Sequence, residues 1–242
     1  MPNAFGSAQS LPMGAGRWII GCALACAETA EAGPWTRPSG EGYAQFAVLG
    51  QRIDGVDAVR VETYGEVGVT PKWLLTGQIE GLVFPDLDGM NQIAYRATAR
   101  RQVWQHRRVL AAVEGGVVGG EAIGGTQNGC DDPGVEARVS FGGGGRTPAG
   151  RDWFFFTDAA IREHFNCRRQ RLEFGYGQEV ARNWFVTNKV FLETGTGDAQ
   201  SAKLETVVSR RFGRNDLGLG VRQEFGGQFS ETGIILSLER RF

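Results

Sequence analysis

From about Tyr43 to the carboxyl end, apolar and polar residues alternate with a period of two, interrupted by short stretches rich in Gly, Asn, Asp and Pro. Successive side chains of a β-strand point to opposite sides, so this pattern predicts strands with one apolar face. In the clearest case Val59, Val61, Thr63, Gly65, Val67 and Val69 alternate with Arg60, Glu62, Tyr64, Glu66 and Gly68, and Thr70-Pro71-Lys72 ends the run as a tight turn. The same reading predicts strands over residues 43–51, 73–84, 93–103, 109–117, 135–141, 152–162 and 168–178. Further strands follow from Trp184, around Leu204–Val208, over 217–225 and over 232–242, about twelve in all. Residues 119–133 read as a long loop, residues 142–150 as a flexible connection, and residues 35–42 as a short lead into the first strand.

The last stretch, T-G-I-I-L-S-L-E-R-R-F, puts Phe242, Arg240, Leu238, Leu236 and Ile234 on one face. A terminal Phe closing an alternating strand resembles the assembly signal of bacterial outer-membrane β-barrels, whose last strand closes the barrel. Arg240 departs from that signal, in which an apolar or aromatic residue usually stands two places before the end. Strands of about ten residues outrun the five or six usual in soluble sheets, and their number is even. Connections after even-numbered strands are mostly short and those after odd-numbered ones longer. Trp73, Trp153, Trp184, Phe212 and Phe242 stand at strand ends, where interfacial girdles are expected. The expected fold is all-β, a transmembrane antiparallel up-and-down β-barrel of about twelve strands in the bacterial outer membrane. A soluble β-sandwich is the competing reading.

The amino end changes the domain picture. Arg17 precedes an apolar run over residues 18–27, too short to span a bilayer, and Ala30-Glu31-Ala32 offers a small-x-small cleavage pattern. Residues 1–32 therefore predict a cleavable signal peptide and residues 33–242 the barrel. No segment approaches the roughly 18 apolar residues of a spanning helix. A formal charge of −1 argues against nucleic acid as a partner. Removal of the signal leaves Cys130 and Cys167 as the remaining cysteines, and export to an oxidising compartment predicts a disulfide between them.

Charge carries what functional signal there is. Arg60, Glu62, Glu66, Glu80, Arg96, Arg100, Glu114, Glu136, Arg138, Arg169, Arg171 and Glu173 fall on the face opposite the apolar one and are predicted to line the lumen. Asp158, Arg162, Lys189, Glu193, Glu205, Arg222, Glu224 and Glu239 share that parity. Mixed signs can pair across strands. Catalytic and metal signals are weak: neither His106 nor His164 has a Ser within a few positions, and the loop carboxylates read as solvated. No enzyme activity, cofactor or metal is expected. The expected function is a narrow, charge-lined passive channel for small polar solutes, with a non-conducting structural or surface-interaction barrel as the alternative and a lipid-modifying barrel enzyme third. Outer-membrane lipid and the barrel insertion machinery, reading Phe242, are the implied partners.

Overall fold

A computed structural model describes residues 33–87, 89–120 and 132–242. The expected signal peptide and Cys130 lie outside the described residues. Twelve strands are present among the described residues: β1 (Gly42–Ile53), β2 (Val56–Thr70), β3 (Trp73–Val83), β4 (Gln92–His106), β5 (Val109–Gly120) and β6 (Gly134–Arg146), then β7 (Asp152–Glu163), β8 (Arg168–Ala181), β9 (Trp184–Gly195), β10 (Gln200–Phe212), β11 (Asn215–Gly227) and β12 (Glu231–Arg241). Each pairs antiparallel with its sequence neighbours, and β1 pairs with β12, so the sheet closes into a barrel. An even number of antiparallel strands brings both ends of the barrel domain to one mouth, called here the terminal end; the other is the distal end.

The outer wall is apolar. Leu217, Leu219 and Val221 on β11, and Ile234, Leu236 and Leu238 on β12, are exposed along their strands, as are Ile79, Ile93, Val135 and Val139 elsewhere. A water-soluble protein does not expose a continuous apolar surface of this kind, whereas a wall facing lipid must. Strands of 11 to 15 residues are long enough to cross the hydrocarbon with tilt. The apolar packing that does occur inside is small. Ala47, Leu49, Val207 and Ile235 form one patch of the inner wall, and Ile53, Ala58, Leu82 and Phe84 form another near the distal end.

Three local expectations change. Residues 142–150 are strand as far as Arg146, which leaves a short turn over residues 147–151. Gly142, Gly143 and Gly144 pair with Phe156, Phe155 and Phe154 of β7, so the bulk on this part of the wall comes from the facing strand and glycine shows no alternation of its own. The β1–β2 connection, expected to be long, is the two-residue turn Asp54-Gly55, whose φ values of 49° and 86° suit a tight hairpin. Residues 35–42 are not a free lead but fold into the terminal mouth, as described below.

Arginine in place of Leu236, exposed on the outer wall, should cost about 2–4 kcal/mol near the membrane midplane. Urea titration of the barrel in lipid vesicles measures this, and a cost near zero would mean that this face does not meet lipid.

Candidate functional site

The inner face carries the charges, and nearly all of them are paired. Towards the distal mouth Arg60 bridges Glu80 and Glu231, the latter at 3.5 Å, and Lys203 bridges Glu231 and Glu224, the latter at 3.7 Å. One step deeper, Arg222 holds both Glu62 and Glu205 at 2.7 Å, and Lys189 lies 3.2 Å from Glu205. On the β4–β7 wall Glu136 gathers Arg96 at 3.0 Å, Arg138 at 3.1 Å and Arg162, while Arg138 also reaches Asp158 at 3.4 Å. Arg169 pairs with Glu193 at 2.9 Å and Arg171 with Glu173 at 3.1 Å, the Arg171 guanidinium lying 4.8 Å from the Phe191 ring. Within each group the two signs balance to within one charge, so no part of the lumen carries a large net charge.

These groups surround a cavity of about 280 Å³ in the distal part of the lumen. Of the twelve residues singled out in the sequence, Arg60, Glu62, Glu80, Arg96, Arg138, Arg169, Arg171 and Glu173 line it. Glu66, Arg100, Glu114 and Glu136 also face inward but are buried in packed structure. The cavity wall stops at about the level of Tyr64, Arg96 and Arg138.

Beyond that level the terminal half is filled. Arg100, only 1% exposed, donates from Nε to Glu114 at 2.7 Å and from a terminal nitrogen to the carbonyl of Gly33 at 2.6 Å. Arg37 donates from Nε to Glu66 at 2.5 Å and lies over the Tyr43 ring at 5.1 Å. Between them Pro34 is fully buried, and the Trp35 ring meets Phe154 and Phe156 edge-on, with centroids 6.0 and 6.2 Å apart. The Thr36 hydroxyl donates to the carbonyl of Pro71, and Gly40 and Glu41 exchange backbone hydrogen bonds with Gly68. Residues 33–41 thus form a strap that enters the terminal mouth and closes it.

Glycines make the room. A Cβ on Gly175 or Gly177 of β8 would overlap the rings of Phe156 and Phe154, and one on Gly68 would overlap the backbone of Arg37 and Pro38. Sequence reading missed Trp35, Arg37, Phe154 and Phe156 as lumen residues. The run Trp153-Phe154-Phe155-Phe156 shows no alternation, and the available signal was Gly175 and Gly177, two glycines of one parity on the next strand.

The remaining candidates are placed as follows. Cys167 is buried and disulfide-bonded in the β7–β8 connection. The ring Nδ1 of His164 lies 2.6 Å from the carbonyl of Asp132, and the His106 ring stacks on Trp104 at 6.1 Å. Backbone bonds between Phe242 and Gly42, at 2.8 and 3.0 Å, extend the β1–β12 seam by one pair.

No protein-family model matches the chain, and no curated protein matches it in sequence. Solved structures do match its fold. A KdgM porin superimposes with a TM-score of 0.56 at 7% identity, over 82% of this chain and 99% of that one. The COG4313 outer membrane channel from Pseudomonas putida F1 gives 0.53 at 10%, over 89% and 100%. LpxR from Salmonella typhimurium gives 0.53 at 7%, over 83% and 100%. The chain therefore has the porin-like fold of an outer-membrane β-barrel, and its apolar outer wall is accounted for by residence in the bacterial outer membrane. At these identities the likeness bears on fold and does not select an activity.

Removing Arg100 should leave the buried Glu114 without its ion-pair partner, while Glu66 keeps Arg37. Arg100→Met is expected to cost about 3–5 kcal/mol, whereas Arg169→Gln, beside the cavity, should cost far less. Denaturant titration of both variants checks this; equal costs would mean that the terminal half is as wet as the distal half.

Proposed function

We propose that the barrel is a narrow, charge-lined passive channel for small polar solutes and not an enzyme. The observation that carries this reading is the cavity of about 280 Å³ walled by paired charges. Paired guanidinium and carboxylate groups offer hydrogen bonds to a polar solute, while the near balance of sign gives no strong preference for either ion. In this reading the distal mouth faces the exterior and the terminal end the periplasm, as short turns and chain ends do in outer-membrane barrels. Passage then requires the strap, residues 33–41, to leave the terminal mouth. His164 and His106 are engaged by a main-chain carbonyl and by Trp104, which does not support a hydrolase.

The packed terminal half favours a second reading, a barrel that does not conduct and whose distal cavity only meets molecules outside the cell. Planar-bilayer recording separates the two. The full chain should show small or infrequent openings, and a chain lacking residues 33–38 should conduct severalfold more. In the open form, Arg169→Gln together with Arg171→Gln should shift the reversal potential towards cations, because Glu193 and Glu173 lose their partners. A strapless barrel that stays silent would leave the second reading in place.

We also assign Cys130 as the partner of Cys167, joining the β5–β6 and β7–β8 connections on the distal side. An unreduced tryptic digest should contain the two peptides as one linked mass. Recovery of Cys167 linked to any other thiol would remove the assignment.

A further inference from the structure

We infer that the outer rim of the terminal end is a binding belt for the phosphate groups of anionic phospholipids. The observation is a sorting of exposed charge by end. In the turns of the terminal end stand Lys72, Arg107, Arg108, Arg151, Arg182 and Arg214, all exposed. Arg101, Arg210 and Arg240 add to them from the outward faces of the adjoining strand ends. None of these forms an ion pair among the described residues; at this rim the exposed Arg146 is held by Asp152 at 2.9 Å, and the half-buried Arg211 and Arg241 share Asp216. The exposed acidic side chain there, among the described residues, is Glu41 of the strap.

The distal end is the reverse. Asp54, Asp57, Asp86, Asp132 and Glu163 are exposed, while the arginines exposed beside them, Arg52 and Arg168, are each held by a carboxylate, Asp57 and Glu163, at 2.8 Å. Among the described residues, a chain whose formal charge is close to zero has therefore placed its uncommitted cations around one rim.

The setting of these cations identifies the ligand. Arg101 lies 5.4 Å from the Trp73 ring, and Arg210 lies between Trp184 at 5.4 Å and Phe212 at 4.8 Å. All of these side chains are on the outer wall, away from the lumen. Trp and Tyr settle at the level of lipid headgroups, and arginine extends its apolar stem along the wall to bring its head to that level. A guanidinium beside such a ring is placed to fork onto a phosphate while the ring contacts the glycerol and upper acyl region. A soluble polyanion would meet the turns but not these outward pairs, so the partner is a lipid of the leaflet at the terminal end. In the orientation proposed above that is the inner, phospholipid leaflet, and the belt would fix the depth and tilt of the barrel in it.

Tryptophan quenching by brominated lipid tests the belt, since Trp73 and Trp184 are themselves part of it. The full chain is reconstituted in phosphatidylcholine vesicles containing brominated phosphatidylglycerol or brominated phosphatidylcholine. Phosphatidylglycerol should be preferred severalfold, and the preference should fall away at about 1 M salt, where screening acts within roughly 3 Å. Arg101→Gln with Arg210→Gln should bring the two lipids towards parity, while Arg101→Lys with Arg210→Lys should keep part of the preference; heat-modifiable migration checks that each variant is folded. If the Gln pair does not fold, the salt series on the parent chain decides. Parity in the parent chain, a preference indifferent to salt, or an unchanged preference in the folded Gln variant overturns the inference. Displacement of the brominated phosphatidylglycerol by added lipopolysaccharide would also overturn it, because the belt would then belong to the other leaflet.

Discussion

In hydrocarbon an unpaired peptide group has no water to turn to and costs several kcal/mol, so a wall of strands is stable there only when it has no edge. The seam between β1 and β12 meets that constraint, running from Tyr43 opposite Arg241 to Ile53 opposite Glu231. Much of the molecule follows from it. Closure fixes which alternate residues look inward, and an even strand number places both ends of the domain at one mouth. A segment preceding β1 can therefore reach that mouth without crossing the membrane.

Closure also creates the problem that the interior solves. Twelve strands enclose more space than the side chains of the wall fill, and the inward residues are largely charged. Burying ion pairs gains little over apolar packing, and an unmatched charge in such a place is costly. In the distal half the cavity leaves room for water beside Arg171 and Arg162, which keep part of their exposure. In the terminal half that relief is absent, and the strap takes its place. The carbonyl of Gly33 answers Arg100, and Arg37 answers Glu66, so the segment that blocks the mouth also supplies hydrogen bonds to the wall.

What was legible in the sequence follows the range of the interactions. The facing of Arg60, Glu114 or Arg171 is decided by a period of two and can be counted locally. Their partners cannot: Arg222 meets Glu62 160 residues away and Arg60 meets Glu231 171 residues away, because closure and register bring them together. Residues 142–145 were misread because glycine carries no polarity to alternate, although its partners Phe154 to Phe156 define the strand. The strap was misread for a related reason. A lone Trp35 in a polar segment gives no periodic signal, and what holds it lies on β7, some 120 residues further along the chain.

How firmly the strap is held decides how often the terminal mouth opens. Burying a tryptophan removes about 150–250 Å² from water, worth about 4–6 kcal/mol at 25 cal/mol per Å², as an upper bound. Trp35 is only half-buried, which lowers that figure, while the Arg37–Glu66 and Arg100–Gly33 contacts raise the total by a similar order. A net cost of about 4 kcal/mol would leave the mouth open roughly one part in a thousand of the time, since each 1.4 kcal/mol is a factor of ten. Spontaneous thermal opening would then give rare conduction and not a steady leak. A solute reaching the cavity could raise that fraction only by binding the strap-free lumen better than the closed one, because a ligand shifts an equilibrium by no more than its difference in affinity for the two states. The group best placed to sense such a solute is Arg138: it lines the floor of the cavity on one side, and through Asp158, two residues from Phe156 on β7, it adjoins the packed layer on which Trp35 rests.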